Sequence, residues 1–192
     1  DIVLPVRLGH LAQAMLGQFL RDALVGHPGL NPDSWSAEQR RQFDQVCAAS
    51  DFVLAQAQRD PAMLFGLVQG GELDRPYAPG ELRGQINAVA QAAQSEDELA
   101  RNLRRERNRQ QLRIIWRDIT RSAALGETCR DLSDLADACI DEAYAWLYPR
   151  HCQQFGTPIG NRSGEVQHMV VLGMGKLGAV ELNLSSDIDL IF

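Results

Sequence analysis

The sequence predicts a mostly α-helical chain that ends in the start of a small α+β domain. Apolar residues recur at helical spacing over most of residues 1–155. A polar, glycine-rich link follows at 156–165, and after it Met169–Leu172 is a short β-branched run typical of a buried strand. We therefore expect a helical region over 1–155. Residues 166–192 should form the first strand, turn, helix and second strand of a truncated α+β domain.

Composition excludes several classes of protein. The net charge of −6, from 25 acidic and 19 basic residues, disfavours a nucleic-acid coat, which needs a basic field. The four cysteines show no metal-ligand spacing, which predicts reduced thiols in a cytoplasmic protein. No apolar run reaches the roughly 18 residues of a membrane span, and the first residues do not resemble a secretion signal. We expect neither nucleic acid nor membrane as a partner.

The helical region is predicted element by element from periodicity and caps. Apolar residues at helical spacing predict a first helix, which should end at Gly26–Gly29. They are Leu4, Leu8, Leu11, Met15, Phe19, Leu20 and Leu24. Ser36 and Gln39 fit a capping box before a second helix, whose stripe is Phe43, Val46, Cys47, Val53, Leu54 and Ala57. Asp60-Pro61 predicts the start of a short helix, with Met63, Leu64, Leu67 and Val68 on its apolar side.

Two longer helices should follow a loop at 69–80, which is rich in glycine and proline. Ser95 and Glu98 fit a second capping box, opening a helix that reaches about Leu125. Another helix is expected over 131–153, with one face made of Leu132, Leu135, Ala136, Cys139, Ile140, Ala143 and Leu147.

The first of these long helices carries a row of arginines. Positions four apart are neighbours on a helix, and the row is Arg101, Arg105, Arg109, Arg113, Arg117 and Arg121, joined by Arg104 and Arg107. One interpretation is a solvated or salt-bridged face that pairs with Glu98, Glu106 and Asp118. The other is an anion-facing surface for nucleotide phosphates or an acidic partner. The sequence leaves both open.

The residues that suggest chemistry all follow the predicted strand. Gly173, Gly175 and Gly178 allow a backbone to approach a phosphate closely, and amides of such a turn favour an anion. Lys176, the only lysine in the chain, adds a point charge there. Asp187 and Asp189 are two apart where a second strand should begin, so both carboxylates are expected on one face. Carboxylates together with substrate phosphate suit Mg²⁺, and two such ions could clamp a phosphoryl transfer.

Three interpretations of this segment compete. Residues 173–178 match the GxGxxG pattern of dinucleotide-binding folds, but too few residues remain for the crossover helix of that fold. A glycine turn followed by a solvated Asp-x-Asp is the second interpretation. The third is a nucleotidyltransferase site. The combination of strand, glycine turn, short helix and Asp-x-Asp strand favours the third, because it is more specific than either half alone.

At these positions the chain resembles the glutamine synthetase adenylyltransferase family, within the DNA polymerase β-like nucleotidyltransferase superfamily. The resemblance is carried by Gly-Met-Gly-Lys-Leu-Gly (173–178), Glu-Leu-Asn (181–183) and Ser-Ser-Asp-Ile-Asp-Leu-Ile-Phe (185–192). The segments 50–53, 60–61 and 112–118 are similar to the helical region of that family. Ala179 and Leu184 depart from its usual glycine and phenylalanine. The resemblance implies that 166–192 opens a nucleotidyltransferase domain, and leaves open whether helix 131–153 belongs to its catalytic core.

The resemblance also implies a function. The chain is similar to the half that removes AMP from adenylyl-tyrosine of glutamine synthetase by phosphorolysis, releasing ADP, in the regulation of nitrogen assimilation. Asp187 and Asp189 would be the catalytic residues and bind Mg²⁺. The residues implied for ATP, ADP and phosphate are Gly173, Gly175, Lys176, Ser185 and Ser186. Glutamine synthetase and the PII signalling protein are the implied partners, with glutamine as an effector.

Two further expectations concern activity. Sites of this type need a third carboxylate from a later strand, which we expect beyond Phe192, so the 192-residue chain alone should not turn over. The alternative function is a non-catalytic helical interaction module that binds a partner through the Arg101–Arg121 face.

Overall fold

The computed structural model describes Gln18, Leu30 and Asn31, and residues 34–192. The predicted first helix and the Gly26–Gly29 turn therefore lie outside the described residues, apart from Gln18, which is helical. The described chain forms two compact units. The first contains the described residues up to Pro76 together with 108–128, and the second contains 77–107 together with 129–192.

The described part of the chain is mostly helical, as predicted, with one two-stranded sheet near its end. Its elements are α1 (Ala37–Ala49), α2 (Asp51–Arg59), α3 (Pro61–Gln69), a 3₁₀ turn (Glu72–Asp74), α4 (Glu81–Gln91), α5 (Glu96–Ile119), α6 (Leu125–Phe155), β1 (Leu172–Gly173), α7 (Gly175–Gly178) and β2 (Leu190–Ile191). No described helix has the length and apolar character needed to cross a bilayer.

Side-chain caps divide the early helices. The capping box of Ser36 and Gln39 is confirmed, with both of its hydrogen bonds formed. The single helix predicted behind it is wrong, because Ser50 ends α1 and its hydroxyl accepts a hydrogen bond from the Val53 amide at the start of α2. A serine hydroxyl offers the backbone an alternative partner to the helix, which is why it breaks the run. Asp60 caps α3 as predicted.

The first unit is built around an aromatic core. Trp35 packs against Phe43 and Phe65, and Phe43 also contacts Trp116. The indole N–H of Trp116 donates to the amide oxygen of Gln42 at 3.3 Å. The predicted apolar stripes are buried here, except that Leu54 is only partly buried. Cys47 also lies in this core, and burial raises the pKa of its thiol to about 12. All four cysteines are free, as expected.

Helix α4 was not predicted, although its helical period is present in the sequence. Leu82, Ile86 and Ala90 recur four apart and are buried. In the second unit Arg83 of this helix forms an ion pair with Asp141 of α6 at 2.7 Å, and Asn87 donates to Glu142 at 2.7 Å. These contacts fix α4 beside α6.

The boundaries of the two long helices differ from those predicted. Helix α5 ends at Ile119 rather than near Leu125, because Arg121 turns the chain at φ 58° and the amides of Arg121 and Ser122 donate back to the carbonyls of Asp118 and Arg117. Helix α6 then starts at Leu125 and continues for 31 residues. At the start of α5, one half of the second capping box is confirmed, because the Glu98 amide donates to the Ser95 hydroxyl. The other half is shifted by one residue, because the Glu98 carboxylate accepts from the Gln94 amide instead of the Ser95 amide.

The arginine row of α5 does not form one continuous surface. Arg113 and Arg117 are buried, Arg109 is partly buried, and the others are exposed: Arg101, Arg104, Arg105, Arg107 and Arg121. The first interpretation is confirmed in part for the buried members, because Arg113 and Arg117 are salt-bridged. Their partners are Glu72 and Glu127 rather than the predicted acids, and they lie inside the first unit rather than on a solvated face.

The buried arginines bind the loop that follows α3. Arg109 pairs with Glu72, and Arg113 donates to the Arg75 carbonyl at 3.1 Å. Arg117 donates to the Leu73 carbonyl at 3.2 Å and to the Glu127 carboxylate at 2.8 Å. A buried guanidinium is tolerated when it finds acceptors, and here the terminal nitrogens of Arg113 and Arg117 reach backbone carbonyls at residues 73 and 75 and the Glu127 carboxylate.

We predict that Arg117→Met destabilises the chain by about 3 kcal/mol, because it leaves a buried carbonyl and a half-buried carboxylate without their partner. Urea unfolding of the 192-residue chain measures this change. Arg104→Met is the matched control, since it removes the same charge from an exposed site on the same helix, and it should change stability by no more than about 0.5 kcal/mol. Equal effects of the two substitutions would contradict the internal role of Arg117.

Candidate functional site

The two strands bring the glycine turn and the Asp-x-Asp segment together. They pair antiparallel, with Leu172 opposite Ile191 and Gly173 opposite Leu190. The Met174 amide then donates to the Asp189 carbonyl at 2.9 Å, which extends the pairing by one step beyond β1. The backbone of Asp189 therefore lies against Met174 in the glycine turn, although the two residues are 15 positions apart in the sequence.

Both strands are shorter than predicted. The run at Met169–Leu172 contributes only Leu172 to β1, and Val170 is 66% exposed rather than buried. The second strand begins at Leu190, not near Asp187. Within the described residues, β1 and β2 pair only with each other. Strand structure is therefore limited to the few residues that lie opposite one another.

The turn between β1 and α7 requires glycine at two positions. A Cβ added to Gly178 would lie 2.4 Å from the carbonyl oxygen of Gly173, closer than real Cβ atoms approach backbone. Gly175 has a φ of 57°, in the left-handed region that favours glycine. These constraints fold residues 173–178 into a tight turn, with Leu177 buried beneath it.

A polar cluster joins this turn to the loop before β2. The Lys176 ammonium donates to the Ser186 hydroxyl at 3.3 Å. Ser186 in turn donates to the side-chain oxygen of Asn183 at 2.7 Å, and the Ser185 hydroxyl donates to the same oxygen at 3.2 Å. The structure thus brings the predicted residues Lys176, Ser185 and Ser186 together, around an asparagine that the prediction left without a role.

The two aspartates are exposed to solvent. Neither the Asp187 nor the Asp189 carboxylate forms an ion pair or hydrogen bond with a residue that the structure describes. Among those residues no group of three or more histidine, cysteine, aspartate or glutamate side chains could hold a metal. Two exposed carboxylates remain a donor set that suits Mg²⁺, which commonly takes one or two carboxylates and completes its shell with water and substrate phosphate.

Helix α6 holds this segment at both ends, through Ser133, Tyr144 and Tyr148, for which no role was predicted. The Leu182 amide donates to the hydroxyl of Ser133, which is fully buried. At the other end the Tyr148 hydroxyl donates to the Gln167 carbonyl at 2.6 Å, and the Met169 amide donates to the Tyr144 hydroxyl at 3.1 Å. The two tyrosines are four residues apart and share one face of the helix. This spacing is the one feature of the sequence that could have indicated their contact with residues 167–169.

Comparison with known proteins identifies close relatives. Residues 40–192 match the sequence profile of the family described as glutamate-ammonia ligase adenylyltransferase. The chain is 81% identical, over 91% of its length, to the bifunctional glutamine synthetase adenylyltransferase/adenylyl-removing enzyme of Pseudomonas putida. The proteins of the same name from Pseudomonas aeruginosa and Thioalkalivibrio sulfidiphilus are 68% and 45% identical over 83% and 89% of the chain.

The chain spans less than a fifth of the length of these curated relatives, covering 18%, 16% and 17% of them respectively. Both units of the described structure lie largely within the matched residues, and so do the glycine turn and the two aspartates.

We predict that Gly178→Ala opens the glycine turn, because the new methyl group would collide with the Gly173 carbonyl. The cost should be about 1–3 kcal/mol, and amide hydrogen exchange at Met174 should become faster. Gly84→Ala is the control, since its Cβ would meet open space on α4 and the substitution should stabilise that helix by about 0.5–1 kcal/mol. Unchanged exchange at Met174 in the Gly178 variant would show that the close approach is not required.

Proposed function

The chain belongs to the glutamate-ammonia ligase adenylyltransferase family, and on that premise we propose that it carries part of a nucleotidyltransferase site that removes AMP from glutamine synthetase. The observation that carries this proposal is the hydrogen bond from Met174 to Asp189, which joins the glycine turn to the Asp-x-Asp segment. A phosphate-binding turn beside paired carboxylates is the arrangement that nucleotidyl transfer needs.

The proposed reaction is phosphorolysis. An oxygen of inorganic phosphate attacks the phosphorus of the adenylyl group, forming the new P–O bond of ADP. The bond from that phosphorus to the tyrosine oxygen breaks, and the phenolate takes up a proton to restore free tyrosine. Both reactants carry negative charge, so the site must bring two anions together and stabilise the charge that develops between them.

The proposed roles come from the family resemblance, and the positions of the side chains support them. Lys176 and the glycine turn at Gly173 and Gly175, with Ser185 and Ser186 beside them, form the nucleotide- and phosphate-binding side. Asp187 and Asp189 form the catalytic, metal-binding side. They would hold Mg²⁺, which when bound neutralises phosphate charge and orients the reacting oxygens.

The wider setting of the enzyme is part of the proposal. Glutamine synthetase is the substrate protein, and control by the PII protein and glutamine follows from the family resemblance. The four free cysteines support a reducing, cytoplasmic environment.

The test uses a full-length enzyme, the Pseudomonas putida relative with its matching segment replaced by this chain. Asp187→Asn and Asp189→Asn should each lower phosphate-dependent release of ADP from adenylylated glutamine synthetase by at least about 100-fold, since a bound metal ion contributes several kcal/mol to such a transition state. Addition of AMP to glutamine synthetase by the same protein should persist, because we assign this segment to the removing activity alone.

Asp97→Asn is the control, an exposed aspartate in the first turn of α5, and should leave ADP release unchanged. Loss of AMP addition with removal intact would overturn the assignment to the removing half. Full ADP release by both aspartate variants would overturn the catalytic role altogether. It would favour a non-catalytic helical module acting through the exposed arginines of α5.

A further inference from the structure

Asn183 is the centre of the polar cluster beside the glycine turn. Its side-chain oxygen accepts hydrogen bonds from the Ser186 hydroxyl at 2.7 Å, the Ser185 hydroxyl at 3.2 Å and the Ser185 amide at 3.2 Å. The Ser186 amide also donates to the Asn183 carbonyl at 3.1 Å, closing a turn over residues 183–186. One amide oxygen therefore sets the direction of both serine side chains.

The count of protons at Ser186 decides what that side chain can do. A serine hydroxyl has one proton to donate and lone pairs that accept. The proton of Ser186 goes to Asn183, so the hydroxyl presents a lone pair to the Lys176 ammonium, 3.3 Å away. In this arrangement Ser186 has no proton left for a phosphate oxygen, and the same holds for Ser185.

The cluster is tied to the interior of the second unit next to Asn183. The neighbouring Leu182 is buried, and its amide donates to the Ser133 hydroxyl at 3.3 Å. Ser133 is itself fixed, because it is fully buried in α6 and donates to the Cys129 carbonyl at 2.8 Å. The backbone next to Asn183 is therefore held in place. The hydrogen bonds from Asn183 to Ser186 and from Ser186 to Lys176 start from this fixed backbone.

We propose that Asn183 is a positioning residue of the phosphate-binding side, which turns both serine hydroxyls inward so that Ser186 holds the Lys176 ammonium beside the glycine turn. This inference rests on the proposed function and changes it at two residues: Ser185 and Ser186 belong to the phosphate-binding side as supports of Lys176 rather than as donors to phosphate. It also gives a role to the Glu-Leu-Asn segment at 181–183, which the proposed function does not use.

The inference predicts a specific pattern of phosphate affinity in the chimeric full-length enzyme. Asn183→Ala should weaken binding of inorganic phosphate about tenfold, the order of one hydrogen bond to a charged group, because Lys176 is no longer held. In a Lys176→Met background the same substitution should have no further effect, since Asn183 acts through the lysine. Equilibrium dialysis with inorganic phosphate measures all four proteins, and the KM for phosphate in ADP release provides a second readout.

Two further variants sharpen the test. Ser186→Ala should reproduce the loss seen with Asn183→Ala, and Ser186→Thr, which keeps the hydroxyl, should restore binding. Asn161→Ala, at an exposed asparagine of the loop before β1, is the matched control and should leave phosphate affinity unchanged.

Three results would overturn the inference. Tighter phosphate binding by Asn183→Ala would show that the serines are phosphate donors which Asn183 restrains. An equal loss with and without Lys176 would show that Asn183 only maintains the loop. Absence of saturable phosphate binding by the unsubstituted enzyme would also overturn it. If the predicted binding pattern appears without any ADP release, the inference stands and the proposed function fails.

Discussion

Backbone pairing between Leu172–Gly173 and Leu190–Ile191 is the constraint on which the candidate site depends. It places Met174 against Asp189, and the residues between them form a turn and a loop that meet at the hydrogen bond between Lys176 and Ser186. The requirement for glycine follows from it, because the helix that begins at Gly175 has to pass directly over the Gly173 carbonyl. The contact between the Lys176 and Ser186 side chains depends on this backbone arrangement.

The two units use positive charge in opposite ways. In the first, Arg113 and Arg117 are interior cross-links whose planar, permanently charged groups can satisfy several acceptors at once. In the second, Lys176 lies on the surface and makes one hydrogen bond to a side chain. Arginine suits the structural task because its donors are fixed in a fork, whereas the lysine ammonium can exchange its partner for a ligand.

Several local signals in the sequence predicted local structure, although the period of α4 and the cap at Ser50 were equally local and were missed. The Ser36 capping box, the Asp60 cap and the glycine turn depend on residues within a few positions of each other, and each of them is present. Long-range contacts could not be predicted. Ser133 and Leu182, for example, are 49 residues apart, and a single buried serine does not alter the apolar periodicity of its helix. The arginine row shows the same limit, since its spacing defined a helix face but not what covers that face.

The solitary lysine makes the glycine turn chemically distinct from the rest of the chain. Every other basic side chain that is charged at neutral pH is a guanidinium, which acylating reagents leave intact. Amine-directed chemistry on side chains is therefore confined to Lys176, which is exposed. A single acetyl group there would erase the one cation of the turn while leaving all eighteen guanidiniums, and so the architecture of the first unit, untouched.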